Sequence, residues 1–375
     1  MTVKKVLISP VVLPEFRVGL YDRLNDDPGL DITIAHGSLS MPVFKSAQKK
    51  LFKEVKLNNK EIRVGGFTLV WQVGLFREVT GGSYDIVVAQ GNFGILSSYI
   101  PLFFRWLQKK KNMVWMCAYE RPGIKGMRKR VRDAITSIVL KLFHGGVTYS
   151  TYAKKYLINR NMPLDKIKIL GNTIDVVSLH NKIIALDKER CRNELGLKKD
   201  VILFAGKFTP AKQIDLLINA LKALVVNRGR DNLQLVLLGD GPILRDLKML
   251  VRDLCLEDYV RFEGVVIEGK EKYFRTATVA VMPGSGGLLI NDCMASRLPI
   301  ILSYSDGTHF DLIKDRETGV LFSRDDVYDL ADKIAMLLDD KSLRKKIADN
   351  AEQLILTKYT LDKMADNFKE ALKSL

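Results

Sequence analysis

The segment AGKFTPAKQIDLLINAL (205–221) holds two lysines, Lys207 and Lys212, just after an apolar run that ends at Gly206. Pro210 sits where a helix would open, a position that tolerates proline best. A lysine in a helix's first turn is odd on structural grounds, because that end already carries positive partial charge. Two cations and a helix N-terminus aimed at one point suit a diphosphate. The bland alternative is a pair of solvated surface lysines. A second candidate is VAVMPGSGGLLINDCMASRLPII (279–301), where Gly284, Gly286 and Gly287 follow a strand-like run and a helical run begins near Leu288. Such a loop lets the N–H groups of Gly286, Gly287 and Leu288 approach a phosphate or sugar hydroxyls. Asp292 then falls one turn into the helix, within reach of a ligand at its start. A third segment, LLGDGP (237–242), reads as a tight strand-to-helix turn, and taken alone is no more than that.

The elements that must position these residues are legible as alternating strand and helix patterns. KKVLIS (4–9), LDITIAHG (30–37), YDIVVAQG (84–91) and NMVWMCA (112–118) read as buried strands, with helical stretches such as EFRVGLYDRL between them. The pattern restarts past residue 175 with DVILFAGK, LQLVLLGDG, YVRFEG, VAVMPG, PIILSYS and a short GVLF. Strand–helix alternation implies right-handed crossovers and parallel sheets. Two serial doubly wound domains are expected, over 1–175 and 176–355, with ligands at the carboxyl ends of the strands. The last segment, TLDKMADNFKEALKSL, spaces Leu361, Met364, Phe368 and Leu372 as one helical face. Residues 356–375 are expected to pack back on the first domain.

Composition narrows the class. The chain has 375 residues, 47% of them hydrophobic, and a net charge of +16. By count, residues 1–175 carry 28 Lys+Arg against 13 Asp+Glu, while 176–375 are nearly balanced at 31 against 30. A basic half beside a neutral half points to an anionic surface or substrate. Nucleic acid is disfavoured, since the charge is not interleaved with aromatic platforms. No uninterrupted apolar run reaches membrane-spanning length. The four cysteines and four histidines are scattered, so no metal site, disulfide framework or bound cofactor is expected, and a reducing, cytoplasmic location is. Two basic amphipathic stretches, KGMRKRVRDAITSIVLKLF and YIPLFFRWLQKKK, suit an anionic bilayer surface. The ordinary amphipathic rule instead assigns their apolar faces (Val131, Ile135, Ile138 and Leu142 in the first) to the core and exposes only the cations.

The motif order GK…PAK, LLGDGP, VRFEGVV, VMPGSGGLLINDCMASRLPII, ETGVLF resembles the donor-binding half of the family 4 glycosyltransferases. The similarity extends back through GVTYSTYAKKYLINRNMPLDKIKILGNTIDV (146–176) and is firm over about 140–325. It implies an α/β GT-B fold, two Rossmann-like doubly wound domains facing a central cleft. It also implies retaining, metal-independent sugar transfer from a nucleoside diphosphate sugar, UDP favoured over GDP. The acceptor would be a glycan or a lipid-linked molecule in bacterial-type surface polysaccharide synthesis. By this resemblance Lys207 and Lys212 neutralise the diphosphate and stabilise the leaving group. The strand end from Arg261 to Gly264 reads the base through its backbone. Asp292 matches the second acid of a Glu-x7-Glu pattern and holds the ribose, while the first acid falls on Gly284. Glu120, in WMCAYERPG, is a candidate for steering or deprotonating the acceptor hydroxyl; a surface pair with Arg121 is the alternative. Arg17, in the loop after the first strand, is placed to meet a phosphate or the acceptor. Two competing readings are a sugar-nucleotide epimerase on the same fold and a degenerate subunit that binds a partner enzyme, the latter favoured by Gly284.

Overall fold

The computed structural model describes residues 3–38, 50–64, 67–92, 94–117, 126–303 and 305–375. They form two compact units, Met1–Asn172 with Leu361–Leu375, and Thr173–Thr360.

The first unit is built on β1 (Lys4–Ser9), β2 (Leu30–His36) and β3 (Lys53–Lys56). A hairpin, β4 (Asn58–Val64) and β5 (Phe67–Val73), follows. Then come β6 (Ile86–Gln90), β7 (Lys111–Met116), β8 (Gly145–Thr148) and β9 (Ile167–Ile169). The main sheet is parallel with order β3-β2-β1-β6-β7-β8-β9. Its central strands are buried on both faces, which is why β1, β2, β6 and β7 read as continuous apolar runs. β3 (KEVK) and the hairpin strand NNKEIRV are too polar to show such a run, and β8 and β9 are only four and three residues long. These strands are invisible to periodicity.

Helix Leu361–Lys373 joins this unit. Leu361, Met364, Phe368 and Leu372 are all buried in the first unit's core, on the face their spacing describes. The Phe368 ring stands edge-on to Trp115 with centroids 5.1 Å apart.

The second unit is a parallel sheet of β10 (Asp200–Ala205), β11 (Leu233–Leu238), β12 (Val260–Gly264), β13 (Val279–Met282), β14 (Ile300–Leu302) and β15 (Val320–Leu321). The order is β12-β11-β10-β13-β14-β15, so the chain reverses its direction of winding between β10 and β13. Loops leaving the carboxyl ends of those two neighbouring strands flank the crevice where doubly wound sheets bind ligands. They are the segments that carry Lys207, Lys212 and Gly284.

Candidate functional site at the carboxyl ends of the second sheet

Three turns are stitched together by backbone hydrogen bonds. Gly206 N–H donates to Leu238 C=O at 2.9 Å, Phe208 N–H to Asp240 C=O at 2.8 Å, and Gly239 N–H to Gly264 C=O at 2.7 Å. Gly239 has φ +139°, and a Cβ there would lie 1.9 Å from the Gly206 carbonyl oxygen. The LLGDGP segment is therefore a support, bringing the ends of β10, β11 and β12 together.

Lys212 departs from its expected setting. Pro210–Lys212 form a single 3-10 turn, and Gln213 takes a left-handed conformation (φ 52°) before the helix Ile214–Arg228 begins. Lys212 thus precedes the helix and escapes the unfavourable position in its first turn. Its ammonium donates to the Ser285 carbonyl at 2.6 Å, and the Ser285 N–H donates back to the Ala211 carbonyl at 2.8 Å. Partial burial lowers the Lys212 pKa, opposed by the charge of Asp306. A cation held by one neutral carbonyl in a partly dry crevice favours an anionic ligand.

Gly284 packs onto the same turn. A Cβ added there would stand 2.3 Å from Ala211 C=O oxygen and 2.8 Å from the Lys212 carbonyl carbon. No side chain fits this backbone, so an acid at 284 is sterically excluded. The Gly-rich loop continues through Gly286, Gly287 and Leu288 into helix Leu289–Ala295. Asp292 lies in that helix, and burial raises the pKa of its carboxyl. Its Oδ1 is buried and accepts no hydrogen bond among the described residues, with Lys270 Nζ at ion-pair distance, 3.5 Å. Asp306, which sequence reasoning passed over, belongs to the same neighbourhood. Its Oδ1 accepts from Thr308 N–H at 3.1 Å and Thr308 hydroxyl at 2.6 Å, and its Oδ2 lies 3.7 Å from where a Gly287 Cβ would stand. The signal was its place in the loop after β14, another carboxyl end.

Comparison with known proteins fits this geometry. Residues 187–354 match the family Glycosyl transferases group 1. The matched segment lies within the second unit. The chain is 32% identical over 180 residues to an alpha-D-kanosaminyltransferase of Streptomyces kanamyceticus, covering 47% of this chain and 46% of the relative. It is 31% identical over 159 residues to an alpha-1,4-N-acetyl-D-galactosaminyltransferase of Campylobacter jejuni named for a diNAcBac-PP-undecaprenol substrate, covering 42% and 43%. The chain thus spans about half the length of the first curated relatives it matches. The structure of Anabaena HepE in complex with UDP superposes with a TM-score of 0.76 at 15% identity, over 99% of this chain and 100% of that one. The fold is GT-B.

The remaining candidate residues separate. Lys207 is exposed at the end of β10. The Arg261 side chain donates to the Leu195 and Gly196 carbonyls at 2.7 and 3.1 Å, capping helix Lys188–Leu195, and pairs with Glu263 at 2.6 Å. Gly264, at φ +70°, borders open space and lends its carbonyl to Gly239. In the first unit Arg17 is buried. Its guanidinium donates to Asn172 Oδ1 at 2.5 Å and lies over the rings of Phe16, Tyr149 and Trp115. It is a buried cation, and of its partners Asn172, Trp115 and Tyr149 lie far off in sequence. Glu120 and Arg121 lie outside the described residues.

The first unit also overturns the assignment of amphipathic faces to the core. In helix Met127–Leu140, Val131, Ile135 and Ile138 are 51%, 50% and 64% exposed. Helix Leu96–Leu107 exposes Ile100, Phe103, Phe104, Trp106 and Leu107 and buries Arg105, which donates to Asn112 Oδ1 and to the carbonyls of Tyr84, Asp85 and Lys111. Burial lowers the Arg105 pKa to about 10. A buried polar network holds this helix, which frees its aromatic face for solvent. No helix among the described residues is long and apolar enough to cross a membrane.

Proposed function

We propose that the chain transfers a sugar from a nucleoside diphosphate sugar, UDP-linked in preference to GDP-linked, to a glycan or lipid-linked acceptor of a surface polysaccharide or glycoconjugate. Transfer is proposed to retain configuration and to need no metal. The observation that carries this reading is the Lys212 ammonium, bonded to the Ser285 carbonyl where the loops after β10 and β13 meet. As the sugar–phosphate bond breaks, negative charge grows on the departing diphosphate. Lys212, with Lys207 nearby in sequence, offsets that charge without reorganising. Asp292, an acceptor without a hydrogen-bonded donor on Oδ1, is suited to ribose hydroxyls. Gly284 fills a packing role, so the missing acid at that position is no sign of a decayed site. A structural neighbour was solved in complex with UDP, and a relative is named for a PP-undecaprenol-linked substrate, which supports this reading.

We further propose that the first unit rests on an anionic membrane face on the cytoplasmic side, where a lipid-linked acceptor would be met. The exposed apolar faces of helices Leu96–Leu107 and Met127–Leu140 lie beside cations such as Lys109, Lys110 and Arg130, the combination that suits a bilayer interface.

Calorimetric titration with UDP and GDP, with Lys212→Ala as control, tests the donor site. Saturable binding of UDP that weakens at least about tenfold in the variant is expected, since a charged hydrogen bond contributes roughly 1.5–3 kcal/mol. Binding of neither nucleotide would refute the reading and bring the partner-subunit alternative forward.

A further inference from the structure

The second unit has another concave surface at the opposite ends of its strands. A cavity of about 560 Å³ opens among Asp200, Thr278 and Pro299, the residues at the amino ends of β10, β13 and β14. β10 is six residues long, so at about 3.3 Å per residue this cavity lies roughly 20 Å from the Gly206 turn. Its volume is that of a small-molecule site.

Its wall is cationic, with eight Lys and Arg against two acids. Some of this charge is matched. Arg192 pairs with Glu189, Arg297 with Asp349 and Glu352, and Lys345 with Asp349. The rest is not. Lys188, Lys199 and Lys341 have no ion-pair or hydrogen-bond partner among the described residues. Arg275 donates only to the Leu186 carbonyl at 2.9 Å, and Arg344 only to the Leu337 and Leu338 carbonyls. Arg192 Nε is buried without a partner. Five cations without a carboxylate converge on one hollow, with only Asp200 as an unmatched acid. Lys188 registers the crowding: burial lowers its pKa, and Arg192 and Arg275 lower it further. Nothing in the fold requires this. The half of the chain that holds the cavity is nearly neutral overall, so most of its acids lie elsewhere.

We propose that this cavity is a second anion site, taking a compact ligand that carries two or more phosphate charges. The guanidinium groups offer forked donors that match phosphate oxygens. The apolar residues of the wall, Phe274, Leu298 and Leu338, are buried and present little surface to an acyl chain, so a small soluble phosphorylated molecule fits better than a lipid headgroup. The proposal does not depend on the donor reading.

The test is calorimetric titration of the full chain with inorganic pyrophosphate. Binding should persist in Lys212→Ala, which disables only the carboxyl-end site. In that background Lys188→Ala/Lys341→Ala should weaken it about tenfold or more, as expected when charged hydrogen bonds are removed. Should that variant fold poorly, Lys199→Ala/Lys341→Ala changes two exposed lysines and should show the same loss. Sedimentation with phosphatidylglycerol vesicles separates the two sources of phosphate and should be unchanged in both variants. Three results would overturn the proposal: no pyrophosphate binding in Lys212→Ala, binding untouched by both double variants, or a loss confined to vesicle binding.

Discussion

Replacing Gly284 by alanine probes how the donor loop is built. The added methyl would stand 2.3 Å from the Ala211 oxygen, 2.8 Å from the Lys212 carbonyl carbon and 3.0 Å from its oxygen. All three are backbone atoms and cannot rotate aside. Restoring ordinary contact at 3.4 Å moves the loop and the Pro210–Lys212 turn apart by about an ångström, 3.4 less 2.3. That shift lengthens both bonds between them, Ser285 N–H to Ala211 and Lys212 Nζ to Ser285. Overpacking costs about 1–3 kcal/mol. A neutral hydrogen bond contributes about 1 kcal/mol and a charged one somewhat more, and neighbouring effects do not add fully. A net loss of about 3 kcal/mol follows, which for a domain of this size lowers Tm by about 6–12 °C. Differential scanning calorimetry with a parallel UDP titration reads both consequences. Gly284→Ala should melt early and bind UDP weakly. Gly284→Glu should behave no better and should gain no transfer activity, although it restores the acid that the family resemblance places there. A Gly284→Ala protein that melts within about 1 °C of the parent and binds UDP normally would show that the loop does not rest on this turn.

Asp292→Asn should raise stability at neutral pH while weakening UDP binding. The sign follows from the raised carboxyl pKa: the folded chain holds the proton more tightly than the unfolded one, so stability falls as pH rises from 3.8 through the folded value, and the full cost is present above it. Melts at pH 7 and below pH 3.8 should therefore show a gap between variant and parent that closes in acid. Phe368→Ala, at a fully buried site, should cost the first unit about 3–5 kcal/mol and leave the second unit's unfolding transition in place, as limited proteolysis of each unit would show. Ile135→Ser/Ile138→Ser should change stability by no more than about 0.5 kcal/mol per site yet reduce co-sedimentation with anionic vesicles severalfold. Unchanged sedimentation would remove that face from the membrane proposal.

The strands that form the centres of both sheets were legible because burial on two faces demands unbroken apolar runs, and β1, β2, β6, β7, β10, β11, β13 and β14 show them. β3 and the hairpin were not, since strands with polar faces blend with loops. The helix Leu361–Lys373 announced its buried face through Leu361, Met364, Phe368 and Leu372, and it joins the first unit, where the segment was expected to pack. Among the site residues, the loops after β10 and β13 were found from glycine, proline and lysine spacing. Sequence order alone could not show that the two loops are neighbours, because that depends on the switch in strand order between β10 and β13.

Local chemistry, then, was written in the chain: where strands end, which turns need glycine, which segments carry a group 1 glycosyltransferase pattern. Long-range placement was decided by tertiary structure. Arg17 is buried because Asn172 and the rings of Trp115 and Tyr149, all distant in sequence, surround it. The Arg261 side chain caps a helix end that lies about 65 residues away in sequence. Ile135 and Ile138 face solvent although their spacing matches a core face. The nearly even charge of the second half conceals a hollow lined by unmatched cations. Periodicity reports the faces of a single element, whereas burial and pairing depend on what the rest of the fold sets against each face.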